Sequence, residues 1–169
     1  ETREKPTEPL ADGTTYSLVF ETNCGSFTIE LDTELAPNTA PSLVKLAEEG
    51  YFDNTIFHRI VTNFVIQGGD PTQTQAGGPG YSTVDPPPAN FHYVTGTVAM
   101  AKTGAEPIGT AGSQFFVLTT DESGLPAEYA VVGKVTKGID VVELIGTLGD
   151  VLERPTQPVV ISSVTVVES

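Results

Sequence analysis

Phe57-His58-Arg59-Ile60-Val61-Thr62-Asn63-Phe64-Val65-Ile66-Gln67-Gly68-Gly69-Asp70 is an apolar run carrying one permanent cation, Arg59, and the strand amide Gln67. Arginine does not give up its charge in a protein, so a guanidinium set among Phe, Ile and Val needs a partner or a task. Thr55 to Val61 and Phe64 to Gly68 read as strands, and a period of two puts Val65 and Gln67 on one face. His58 falls on the face opposite Arg59 and is expected to be a hydrogen-bonded core residue, not a catalyst. The competing reading of Arg59 is a structural ion pair with one of the many carboxylates.

Working outward, Tyr16 to Glu21 and Ser26 to Asp32 are rich in β-formers and joined by Thr22-Asn23-Cys24-Gly25, an opening hairpin. Asn38 or Thr39 can cap a helix with Pro41 in its first turn, where proline loses no helical hydrogen bond. Leu43, Leu46 and Ala47 share one face of that helix, Lys45, Glu48 and Glu49 face water, and Gly50 stops it. Further short strands are expected at Gly96 to Ala101, Gln114 to Thr119, Ala130 to Val135 and Val159 to Val167, with a second helix at Gly138 to Leu144. Many short strands and few helices make a mainly β domain, a barrel or a sandwich. Asp70 to Asn90 is too rich in proline and glycine for a packed element and reads as a functional surface loop.

A chain of 169 residues suits one domain with a core that needs no staples. Cys24 is alone, so no internal disulfide forms, and one cysteine and two distant histidines give no metal spacing. Neither a metal nor a cofactor is expected. Eight basic residues against 22 acidic ones give a net charge of −14, which repels phosphate backbones and argues against nucleic acid as a partner. No apolar run is long enough to span a bilayer as a helix. Residues 1–15 hold too little apolar surface to pack and are expected to be flexible, leaving 16–169 as the folded domain. The start at Glu1 without methionine reads as a trimmed end, and an exported protein, with or without a lipid anchor, is favoured over a cytoplasmic one.

Phe57 to Thr72, Gly77-Gly78-Pro79-Gly80-Tyr81 and Gly112-Ser113-Gln114-Phe115-Phe116, in that order, resemble the cyclophilin family of peptidyl-prolyl isomerases over Ser17 to Val167. The resemblance implies a closed eight-stranded antiparallel β-barrel capped by two helices. It also implies that Phe64, Val65, Phe116 and Leu125 hold a proline ring and that Gln67 orients Arg59, with Ala101 and Gln114 lining the adjoining groove. Where the best-known eukaryotic members have tryptophan and histidine, this chain has Gly124 and Tyr129, and the tyrosine gives it a bacterial character. Tyr129 can still wall the pocket and donate a hydrogen bond. Loss of the indole predicts weak or no binding of cyclosporin. Lys102 replaces the family's usual asparagine beside a longer 105–111 loop, so acidic residues in the peptide are expected to be better tolerated.

The implied chemistry is modest. Rotation about an X-Pro bond meets a barrier of about 20 kcal/mol. Reaching an ordinary turnover of about 10 per second then needs only about 4 kcal/mol of stabilisation, with no nucleophile or general base. A guanidinium aimed at the proline nitrogen, whose lone pair appears as conjugation breaks, is of the right size. The substrates are then proline-containing peptides and unfolded proteins, met by a monomer that assists folding. A non-catalytic holdase of the same shape and a barrel storing a small apolar ligand are the alternatives, and the large side chains available for the interior count against the second.

Overall fold

The computed structural model describes residues 2–169, so Glu1 lies outside it. β1 (Tyr16–Thr22) and β2 (Gly25–Leu31) form the expected hairpin. Next come α1 (Thr39–Glu48), β3 (Thr55–Ile56), β4 (Arg59–Val61) and β5 (Val65–Gly68). β6 (Thr83–Val84), β7 (Thr97–Met100), β8 (Thr110–Ala111) and β9 (Phe115–Leu118) follow, then β10 (Val131–Lys137), α2 (Ile139–Gly146) and β11 (Val160–Glu168).

Among the described residues one curled sheet of nine strands, ordered β3-β11-β1-β2-β10-β7-β9-β5-β4, carries the domain, and β6 pairs with β8 apart from it. The sheet is antiparallel throughout, as expected, but it is not a closed eight-stranded barrel. Its two edges, β3 and β4, are consecutive pieces of one segment separated only by Phe57 and His58. β3 pairs with β11 and β4 with β5, so the segment joins both edges end to end, and pieces lying end to end cannot also lie side by side. The single strand expected over Thr55 to Val61 is thus two.

Alternation sorts the two faces. On β4, β5, β7 and β9 the inward set is Ile60, Ile66, Val98, Met100, Phe115 and Val117, all in the main core. Phe20 and Phe27 stack at 4.9 Å, and Phe115 meets Phe20, Phe52 and Phe57 at 5.4, 6.1 and 6.0 Å. The gap left inside is about 10 Å³, room for about one water and not for a stored ligand.

α1 buries Leu43, Leu46 and Ala47 as expected, and Gly50 ends it in a left-handed conformation at φ +70°. Asn38 stands at its N-cap without a side-chain capping bond; the Asp85 carboxylate instead accepts from the backbone N–H groups of Asn38 and Thr39, at 3.1 and 2.7 Å. Residues 2–15 contain no helix or strand, yet they lie against the domain. The Arg3 N–H donates to the Pro79 carbonyl at 2.7 Å, Lys5 Nζ donates to the Ser82 carbonyl at 2.9 Å, and Leu10 packs on the core.

Candidate active site

Outward side chains of β5, β7 and β9, with Tyr93 from the loop before β7 and Val131 of β10, build a second apolar cluster of Val65, Tyr93, Ala99, Phe116, Leu118 and Val131, with Phe64, Ala101, Leu125 and Tyr129 packed against it. Register lines up the chemistry. Arg59 lies opposite Gln67, Gln67 opposite Phe116, and Phe116 opposite Ala99, so a row crosses four strands on one face. Over it opens a groove of about 670 Å³. All ten residues singled out from the sequence, Arg59, Phe64, Val65, Gln67, Ala101, Lys102, Gln114, Phe116, Leu125 and Tyr129, line it. Gln75, Ala76 and Gly77 from the 70–90 loop, and Thr103, Glu106, Gly112 and Ser113 from the loop before β9, also line it and were not anticipated. Gly77, Gly112 and Ser113 belong to the strings that carry the resemblance, though no site role was read for them; Gln75, Ala76, Thr103 and Glu106 had no signal beyond their place in a loop.

The polar side of the groove is a relay. Arg59 Nη1 donates to Gln67 Oε1 at 3.0 Å, Gln67 Nε2 to Gln114 Oε1 at 3.2 Å, and Gln114 Nε2 to the Gly77 carbonyl at 3.0 Å. A guanidinium only donates and a carbonyl only accepts, so the two ends fix which way both amides point. Gly77 is itself held by Asp70, a fully buried carboxylate that accepts from the N–H groups of Thr72, Thr74 and Gly77 and from the Thr72 hydroxyl. Burial pushes the Asp70 pKa up, but the bonds from Thr72 and Gly77 outweigh it and hold the carboxyl below its ordinary 3.8.

Arg59 is not sunk in the apolar run. Its side chain is 27 % exposed, and its Nε donates to Glu153 Oε2 at 2.7 Å. The acidic partner weighed as an alternative therefore exists, but it does not close the groove. A pair this exposed contributes about 0–1 kcal/mol to stability.

Tyr129 forms the far wall, edge-on to Phe116 at 5.5 Å. The Tyr93 hydroxyl donates to the Tyr129 carbonyl at 2.6 Å and accepts from its N–H at 3.1 Å, while burial pushes the Tyr93 pKa up to about 12. Tyr93→Phe orphans both backbone groups and should cost about 1–3 kcal/mol in urea unfolding while raising KM. Unchanged stability and KM would remove Tyr93 as the support of this wall.

Lys102 does not present its charge to the groove as expected. Its side chain is 5 % exposed, and its ammonium turns toward the carbonyls of Thr103 and Glu106 at 3.3 and 3.4 Å, toward Glu128 at 3.9 Å and over the Tyr129 ring at 5.6 Å.

His58 is buried as expected, but among the described residues neither ring nitrogen has a hydrogen-bond partner. Burial pushes its pKa below the ordinary 6.5, against the opposing pull of Asp70 and the nearby Gln114 amide. The unfolded chain therefore takes up the His58 proton first, and stability should fall as pH drops below about 6.5. Asp70, with its lowered value, adds a further loss as pH falls through its folded pKa. Thermal midpoints measured across this range should show the slope, and His58→Gln should flatten its upper part. A midpoint independent of pH there would refute the assignment.

Comparison with known proteins agrees with this geometry. The family described as cyclophilin type peptidyl-prolyl cis-trans isomerase/CLD matches residues 17–166. The chain belongs to the cyclophilin family. A peptidyl-prolyl cis-trans isomerase-like 1 of Aspergillus fumigatus is 39 % identical over 156 residues, 89 % of this chain and 95 % of the relative. A peptidyl-prolyl cis-trans isomerase of Arabidopsis thaliana is 33 % identical, covering 93 % and 97 %. The crystal structure of a Cryptosporidium parvum cyclophilin type isomerase, solved in the presence of the dipeptide Ala-Pro, superposes with a TM-score of 0.81 at 30 % identity, covering 89 % of this chain and 98 % of that one. This cyclophilin is accordingly a peptidyl-prolyl cis-trans isomerase. These relatives are eukaryotic, so the bacterial character read from Tyr129 gains no support from them. Among the described residues no helix is long and apolar enough to cross a membrane, and no group of three or more His, Cys, Asp or Glu could hold a metal.

Proposed function

We propose that the groove isomerises X-Pro bonds in exposed segments of protein chains by electrostatic stabilisation of the twisted imide, without a covalent intermediate. Phe64, Val65, Phe116 and Leu125 hold the ring, with Tyr129 as the far wall. Ala101 and Gln114 line the run of peptide beside it; the Ala101 N–H already donates to the Gln114 carbonyl at 2.9 Å, which keeps that edge rigid. Lys102 backs Tyr129 instead of reading the peptide. Gln67 aims Arg59, and Arg59 donates to the proline nitrogen when rotation has broken its conjugation. An interaction made only in that state lowers the barrier without trapping either ground state.

What supports this reading above all is the placement of a donor-only guanidinium, bonded to Gln67, on the rim of an apolar groove. Its natural substrates are unfolded or flexible chains whose folding waits on proline isomerisation, and the protein acts on them as a monomer. The test is cis-to-trans relaxation of a short Ala-Pro peptide at low temperature, with the wild type and Arg59→Ala. A variant as fast as the wild type sinks the mechanism.

Weak binding of cyclosporin is part of the same proposal. Gly124 is exposed, with open space where a side chain would stand, so the ring has no indole to rest on. Calorimetry should give a Kd above the micromolar level alongside full isomerase activity. A tighter constant would show that other contacts compensate.

A further inference from the structure

Two bonds hold the Arg59 guanidinium, one at each edge. Gln67 Oε1 takes Nη1 and Glu153 Oε2 takes Nε. One bond alone would let the planar group swing about that bond's axis, whereas two fix the plane. The remaining Nη donors are then left for the groove that Arg59 lines.

The loop carrying Glu153 is built against β4 independently of this side chain. The Ile60 N–H donates to the Glu153 carbonyl at 3.0 Å, and the Glu153 N–H to the Asp150 carbonyl at 3.0 Å. Asp150 Oδ1 accepts from the N–H groups of Leu152 and Arg154 at 2.8 and 2.9 Å. Gly149 bridges to Pro155, and a Cβ at Gly149 would run into the Ile60 carbonyl oxygen, so the loop backbone lies directly on the strand edge. Glu153 itself sits at φ +62°, a left-handed conformation that a non-glycine residue adopts at a cost. Val151 and Leu152 at the tip are 97 % and 65 % exposed, so the turn is not shaped by apolar burial. Among the described residues its one side-chain bond to the groove is the one to Arg59.

We propose that Glu153 is a positioning residue for the isomerase reaction, fixing the plane of the Arg59 guanidinium through Nε so that its Nη groups address the twisted imide. The inference rests on the assignment of Arg59 as the electrostatic group.

Isomerisation of an Ala-Pro peptide, followed by NMR exchange, tests it with Glu153→Ala, Glu153→Gln, Arg59→Ala and the double variant Arg59→Ala/Glu153→Ala. Glu153→Ala should lower kcat by about 3- to 10-fold with KM little changed, because orientation matters in the twisted state. Glu153→Gln, which keeps an acceptor, should recover part of the loss. Adding Glu153→Ala to Arg59→Ala should lower the rate no further. The Arg59 Nε–H resonance should shift in Glu153→Ala while the Ile60 amide, bonded to the Glu153 backbone, stays in place, separating loss of aim from loss of the loop. Wild-type kcat in Glu153→Ala, an equal loss on the Arg59→Ala background, or a rate above wild type would each overturn the inference, the last marking Glu153 as a restraint on Arg59. A slow Arg59→Ala beside a normal Glu153→Ala sinks only the role of Glu153, whereas a normal Arg59→Ala sinks the Arg59 assignment beneath it.

Discussion

Arg59→Ala should lower kcat/KM for a proline peptide while leaving the thermal midpoint nearly unchanged. A hydrogen bond to a charged group contributes about 1.5–3 kcal/mol. If it forms only in the twisted state, the loss in rate is about 10- to 150-fold at about 1.4 kcal/mol per decade. That is a large share of the roughly 4 kcal/mol that the whole acceleration requires. Stability should barely move, because the Arg59 side chain is 27 % exposed and its ion pair with Glu153 lies at the surface. Arg59→Lys should recover little, since an ammonium cannot bond Gln67 and Glu153 together and still point a donor into the groove. NMR exchange on the folded variants measures this. Equal rates in wild type and Arg59→Ala would leave the groove's catalysis without its central group.

Phe115→Ala should produce the opposite result, a large loss of stability with chemistry preserved in the molecules that fold. Phe115 is 3 % exposed and touches the rings of Phe20, Phe52 and Phe57. Deleting such a side chain costs about 3–5 kcal/mol. That is about a fifth or more of an ordinary domain's total stability of about 5–15 kcal/mol. The midpoint should fall by about 6–20 °C. Its neighbour Phe116 points to the other face and lines the groove, so Phe116→Ala should raise KM more than Phe115→Ala does. Urea unfolding and peptide kinetics on both variants decide the matter. If the two adjacent truncations had the same profile, the assignment of faces would be wrong.

Much of this contrast could be read in advance. Gln114, Phe115 and Phe116 occupy alternate faces because successive residues of an extended chain must, and the same rule put Val65 and Gln67 together beside Arg59. The opening hairpin and the buried face of α1 were equally legible from spacing and turn residues. Three features were not. Asp85 caps a helix 46 residues before it, where Asn38 offered the obvious local signal. β6 and β8 are two residues each, too short to carry a period. Glu153 follows a stretch with no catalytic pattern and reaches Arg59 from 94 positions away.

The order of residues by itself determined the longer strands, the buried face of α1 and the polarity of each face, because alternation and turn chemistry act between neighbours in the chain, while its motif strings carried the family and, through it, ten of the groove's side chains. The tertiary structure alone decided that the sheet stays open between β3 and β4, that Asp70 braces the relay through Gly77, and that Arg59 is gripped from both sides. Those outcomes depend on which distant segments share an edge, and pairing between segments far apart in the chain is set by proximity in space, which no local pattern encodes.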